Sequence, residues 1–339
     1  MVWVKRIISL VALAIVIYLF WPLIGEIRAA FYLIKKAHWI WLPLIIAMQL
    51  ISYGFLIWLN QLALKPFPGK IGFTKMAALL TSMAFIEVAV PSAGASGLVL
   101  RARLLGKYGY SYEAATFSLV LETIYLVIAL ASIGLLGFIY LVRQGDLTTF
   151  RIIEIILVAI LLIALMVWLW RVIVDPTRSR RFLVKSVNLW NRFFARFKRL
   201  DLPALVERLT TFQTDLAQLS SIPRWKFFAS AYGRIMLDVI TLGMCFYMFR
   251  YAINPSTLFT GYGLMAILSG LAALPGGLGL ADASIPVLFS RLGTPGSYAL
   301  VAGLSYRLLA FWFLRFVGFI SWQFLEAEKN VYRADSPTL

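Results

Sequence analysis

The sequence has one cysteine, Cys245, and one histidine, His38, in 339 residues. A lone cysteine forms no intrachain disulfide, and its apolar setting leaves the redox compartment unread. Zinc and haem sites draw on clustered Cys and His ligands, so no metal and no cofactor are expected. Acidic residues are scarce too: 15 Asp and Glu stand against 32 Lys and Arg, a formal net charge of +17. Charged residues are only 14% of the chain and hydrophobic residues 61%, which excludes an ordinary soluble globule. No nucleic-acid partner is expected, because the basic residues flank apolar segments and carry no nucleic-acid motif. Their bias is that of cytoplasmic loops facing anionic lipid.

What is present is a series of long apolar runs, read here as an all-α polytopic integral membrane protein. Lys5 and Arg6 precede a first helix over 7–24, too long for a signal-peptide core and without a clear cleavage site. A mixed interfacial helix, residues 26–38, leads to a helix over 39–64 anchored by Trp39, Trp41 and Trp58. Further long helices are expected at 113–142, 152–174, 226–249 and 297–325. Between 175 and 224 the chain is basic and has apolar residues at helical spacing: Leu183, Val187, Trp190, Phe194 and Phe197, then Leu205, Leu209, Phe212, Leu216 and Leu219. Two amphipathic helices fit, lying either on the inner membrane face or on the protein's own cytoplasmic end.

Four segments are too short to span. Residues 76–90 and 258–274 each run into a proline-led glycine loop: Pro91-Ser-Ala-Gly-Ala-Ser-Gly97 and Pro275-Gly-Gly-Leu-Gly-Leu-Ala-Asp282. Short returns follow over 98–105 and 283–290. Proline removes an amide donor and glycine lets the backbone leave helical geometry, so each stretch reads as a re-entrant, broken-helix hairpin. Such backbone is tolerated at membrane depth only where it is buried in protein or lines a wet cavity. A matched pair of interrupted segments points to a transporter's binding site.

The two loops share a register. Trp225 minus Trp41 is 184, and so are Pro275 minus Pro91, Arg291 minus Lys107 and Gly293 minus Gly109. A single membrane domain, 1–339, is expected. It comprises a first repeat over 39–142, a linking helix with the basic region over 143–224, and a second repeat of opposite topology over 225–325. An inverted-repeat helical bundle follows.

A charge at bilayer depth costs several kcal/mol and needs a partner or a task. Glu122 and Arg307 each lie roughly 15 Å inside their helices, at nearly equivalent repeat positions, and are expected to pair across the pseudo-axis. That pair serves either as a static bridge or as one that an anionic substrate competes for. Arg234 and Asp238, four apart, can pair within one helix. Glu87, Glu122, Asp238 and Asp282 are the candidates for ion or proton coupling, although Asp282 suits a helix cap as well. The loop amides at Gly94, Gly97, Gly276, Gly277 and Gly279 could receive a phosphate headgroup. Arg101 and Arg103 would lie within two turns of the first loop; snorkelling to the interface is the alternative.

These residues carry a family resemblance. Pro91-Ser-Ala-Gly-Ala-Ser-Gly-Leu-Val-Leu-Arg101 with Gly109-Tyr-Ser resembles the first motif of the lysylphosphatidylglycerol synthase transmembrane-region family, whose free-standing members include the UPF0104-type membrane proteins. Leu274-Pro-Gly-Gly-Leu-Gly-Leu280, Gly293-Thr-Pro and Tyr306-Arg307-Leu-Leu-Ala-Phe-Trp312 are similar to its second, more distinctive motif. Nearly the whole chain is covered. Ala281-Asp282 stands where the family usually carries Arg-Glu. The resemblance implies a flippase-like membrane domain, in bifunctional members the part that moves an aminoacylated phospholipid. The soluble transferase domain of those members is not expected here, so neither is synthase activity. The expected substrate is a membrane phospholipid or a polyprenyl-phosphate lipid, in the cytoplasmic membrane with both termini inside. The alternative is a non-transporting accessory protein docked on a lipid-modifying or glycosyl-transferring enzyme through its basic region. A homo-oligomer fits either reading.

Overall fold

The computed structural model describes residues 27–89, 95–143, 176–194, 201–271 and 280–334, with isolated positions between 160 and 168. All regular structure among them is helical. The first half holds α1 (Ile27–Lys35), α2 (Leu42–Leu64), α3 (Phe73–Ala89), α4 (Ala95–Gly106) and α5 (Tyr112–Arg143). Next come α6 (Pro176–Phe194) and α7 (Leu202–Gln218). The second half holds α8 (Arg224–Met248), α9 (Pro255–Leu271), α10 (Leu280–Arg291), α11 (Gly296–Tyr306) and α12 (Phe313–Ala334). Arg307–Trp312 forms a π-helical segment between α11 and α12. The expected helices at 7–24 and 152–174, and loop residues 90–94 and 272–279, lie outside the described residues or almost wholly so.

Among the described residues four stretches are long and apolar enough to cross a membrane: Trp39–Leu64, Tyr112–Gly137, Arg224–Met248 and Gly296–Leu325. The protein is an all-α integral membrane protein. The remaining hydrophobic helices are short in matched pairs: α3 and α9 have 17 residues each, α4 and α10 have 12 each. At 1.5 Å per residue these rise about 26 Å and 18 Å, less than a hydrocarbon core of about 30 Å.

The 184-residue offset extends to backbone detail. Gly109 and Gly293 are the glycines with left-handed φ among the described residues, 82° and 90°. Each closes the turn between a short helix and the long one that follows. The amides of Tyr110 and Thr294 donate to the carbonyls of Leu105 and Phe289, at 3.2 and 2.9 Å. Those of Ala115 and Ala299 donate to Ser111 and Pro295, at 3.2 and 3.0 Å. Both long helices then cross a short one on a glycine. Gly134 of α5 meets Gly263 of α9, and Gly318 of α12 (318 − 134 = 184) meets the backbone of Thr81 in α3. Close backbone approach of this kind needs the missing Cβ.

Helices α2 and α8 pack along one another and run antiparallel. Trp41 meets Tyr247, Gln49 meets Asp238, Ser52 meets Arg234 and Phe55 covers Gly233. At the far end the amide of His38 donates to the carbonyl of Met248, 2.8 Å. These two helices, 184 residues apart in the chain, therefore point in opposite directions where they meet.

The described part of the basic linking region forms the two helices α6 and α7. α7 is seated on the first half: Phe212 packs on Phe117 with ring centroids 5.1 Å apart. α6 contacts α7 and buries Val187, while Phe182, Leu189 and Trp190 remain exposed beside Arg180, Arg181, Lys185 and Arg192.

The α12–α3 crossing yields a stability test. A methyl at position 318 would drive into the Thr81 carbonyl, so Gly318→Ala should cost about 1–3 kcal/mol. Gly106→Ala adds its methyl in open space and should leave stability within about 0.5 kcal/mol. Thermal unfolding of the two purified variants in detergent checks the difference.

Candidate functional site

Among the described residues Arg101 is the largest fully buried side chain that carries a charge, at 1% exposure. The glycine turn at Gly109 places it. Arg101 lies eight residues before that turn and Ser118 nine after it, so the α4–α5 hairpin sets the two side by side. Arg101 Nη1 donates to Glu122 Oε2 at 2.9 Å, one helical turn further along α5, and Nη2 donates to Ser118 Oγ at 2.9 Å. A third acceptor, Asn60 Oδ1, comes from α2. Asn60 is oriented for this because its own Nδ2 donates to the Leu56 carbonyl at 2.9 Å. Ser118 likewise gives its proton to Ala115, at 3.0 Å, leaving its oxygen lone pairs for the guanidinium. Arg101 Nε has no acceptor.

A second buried cluster sits where α2 crosses α8. Arg234 Nη1 pairs with Asp238 Oδ1 at 2.7 Å, within one turn of α8. Asp238 also accepts from Gln49 Nε2 of α2 at 2.9 Å and from the Tyr262 hydroxyl of α9 at 3.0 Å. The Ser52 hydroxyl accepts from Arg234 and donates to its carbonyl. The amide oxygen of Gln49 is buried without a donor.

Between the clusters runs a third face, from the π-helical segment into α12. The guanidinium carbons of Arg307 and Arg315 lie 3.9 and 3.3 Å from the ring centre of Phe311. Arg315 Nη1 donates to the Phe311 carbonyl at 3.0 Å, one turn back on its own helix. Arg315 is within electrostatic reach of Tyr53, Arg307, Glu87 and Arg234. Polar groups therefore continue from Asn60 and Arg101 through Glu87, Arg315 and Tyr53 to Arg234 and Asp238.

Glu122 and Arg307, expected to pair, do not: Glu122 takes Arg101. At the 184 offset the counterpart of Glu122 is Tyr306, and Arg307 opens the π turn and lies along its own helix over Phe311. Arg101 does not snorkel, whereas Arg103, two residues on, faces outward and is exposed. Arg234 and Asp238 pair within α8 as their spacing implies. Gly97 lies in the first turns of α4, against Glu87. Gly94, Gly276, Gly277 and Gly279, and the Asp282 side chain, lie outside the described residues. The sequence reading missed Asn60, Gln49, Ser118, Tyr262 and Arg315. Asn60 and Gln49 carried a signal, since amides in the middle of an otherwise apolar helix need buried partners.

The family model described as the lysylphosphatidylglycerol synthase TM region matches residues 9–318. The chain belongs to this family. It is 24% identical over 327 residues to a UPF0104 membrane protein of Methanothermobacter thermautotrophicus, covering 92% of each chain. It is 23% identical over 269 residues to a UPF0104 membrane protein of Methanocaldococcus jannaschii, covering 76% of each.

The Arg101 cluster makes a thermodynamic prediction. Removing one partner of a buried ion pair strands the other, so Glu122→Ala should cost about 3–5 kcal/mol. The double variant Arg101→Met, Glu122→Leu removes both charges and should regain most of that loss. Denaturant unfolding of the singles and the double decides it.

Proposed function

We propose that this protein is a lipid flippase, or lipid transporter, rather than an enzyme. Its cargo is an anionic or aminoacylated phospholipid, or a polyprenyl-phosphate-linked lipid, crossing the cytoplasmic membrane. The observation that carries the reading is the fully buried Arg101, held by Glu122, Ser118 and Asn60 where three helices of an apolar protein converge. A guanidinium removed from water in this way marks a path for polar or charged cargo. Two further observations support it. Matched pairs of short helices meet long ones at equivalent places, and the equivalent helices α2 and α8 run antiparallel, the geometry of an inverted repeat. On this reading the basic linking region, and both ends of the chain, face the cytoplasm.

A second reading rests on α6. Its exposed Phe182, Leu189 and Trp190 beside four basic side chains suit docking to an enzyme that modifies lipids, with no transport by this chain. Headgroup translocation in proteoliposomes separates the two. Fluorescent phosphatidylglycerol, its lysyl derivative and a polyprenyl phosphate serve as probes, read by quenching of the accessible leaflet. Transport predicts movement of one of them, slowed at least about tenfold by Arg101→Ala and little by Arg103→Ala. Absence of movement for all three, with folded protein, would count against transport and leave docking.

A further inference from the structure

Glu87 lies two residues before the last residue of α3, and its carboxylate is pressed against the first turns of α4. A Cβ built on Gly97 would be 2.6 Å from Glu87 Oε1 and 3.3 Å from its Cδ, so the carboxylate sits in space that only a glycine leaves open. The amides opening a helix have no acceptor within it, and that end is positively polarised.

The charged and titratable groups around Glu87 come from four helices. They are Arg101 on α4, Glu122 on α5, Arg315 on α12 and Tyr53 on α2. Among the described residues Glu87 forms no ion pair, because Arg101 is committed to Glu122. Arg315 has no carboxylate partner among them either, and its Nε is buried without an acceptor. The arrangement is a carboxylate within electrostatic reach of two guanidinium groups and in an ion pair with neither among the described residues.

We propose that Glu87 is a built-in stand-in for the headgroup phosphate. Its carboxylate occupies the space over Gly97, beside Arg101 and Arg315, that an anionic headgroup takes when it binds. This deepens the lipid-transport reading of the same site and rests on it. The headgroup enters when Glu87 swings aside or takes up a proton, so the net charge of the site changes little between empty and loaded forms. A headgroup with a net negative charge replaces what Glu87 provides, whereas a zwitterionic one does so only in part. Lower pH, by neutralising Glu87, favours the headgroup.

The test uses the purified full-length protein in detergent. Intrinsic tryptophan fluorescence reports binding of dioctanoyl phosphatidylglycerol, with inorganic phosphate as a second probe. Glu87→Gln should bind the lipid about tenfold more tightly than wild type at pH 7.5, the scale expected for removing one nearby like charge. Wild type should approach the variant as pH falls to 5. Gly97→Ala fills the contested space, so it should abolish the gain when combined with Glu87→Gln. Glu87→Ala gives the same gain and covers a poorly folded Gln variant. Equal or weaker lipid binding by both folded Glu87 variants overturns the proposal. A gain for inorganic phosphate alone overturns its lipid part. Wild-type protein that moves no lipid in proteoliposomes sinks the transport reading, and the binding comparison still decides the role of Glu87.

Discussion

A guanidinium kept from water must find both its counter-charge and its acceptors inside the protein. Much of the first half of this molecule follows from meeting that requirement at Arg101. Three acceptors are needed from different directions, so α2, α4 and α5 have to converge. The convergence in turn requires α4 to be short and to reverse tightly into α5. Gly109, in the left-handed region at φ 82°, makes that reversal. The supporting hydrogen bonds of Asn60 and Ser118 aim their oxygens at the guanidinium before it arrives. Such pre-orientation holds both terminal nitrogens of the guanidinium, while Nε is left without an acceptor among the described residues.

The second half repeats the glycine turns and crossings of the first without its chemistry, and its long helix carries a π segment that α5 lacks. At the 184 offset Arg101 is matched by Ile285, Glu122 by Tyr306, Asn60 by Met244 and Asp238 by Gly54. What the halves share is glycine: the turns at Gly109 and Gly293, and the crossings at Gly134 and Gly318. Glycine at these places sets how closely helices approach, a demand of shape alone, so it is shared by both halves. Charge answers to the site, and each half has its own.

That division explains what could be read from the sequence. The long spans among the described residues, the matched short segments and the glycine turns at the 184 offset rest on apolar run length and on glycine and proline, which act locally. Arg234 and Asp238 were legible as a pair because both lie on one helix face. The partner of Glu122 was not, because it depends on how two helices meet. Counting outward from the Gly109 turn would have set Ser118 beside Arg101, with Glu122 one turn further. The assumption that symmetry governs charge led instead to Arg307. Glu87 was noted as a residue near a loop, but its seat against Gly97 is a tertiary contact with no sequence period.

The mismatch between shared glycine crossings and one-sided charge has an energetic consequence. If the two halves exchanged conformations, the helix crossings on Gly134 and Gly318 would be restored in the swapped arrangement. The surroundings of Arg101 and Asp238 would not, since Ile285 and Gly54 provide nothing to replace them. Two states that match in packing would then differ in electrostatic energy, by an amount set by these few side chains. Shared glycine packing therefore leaves the choice between the two arrangements to a handful of buried charges.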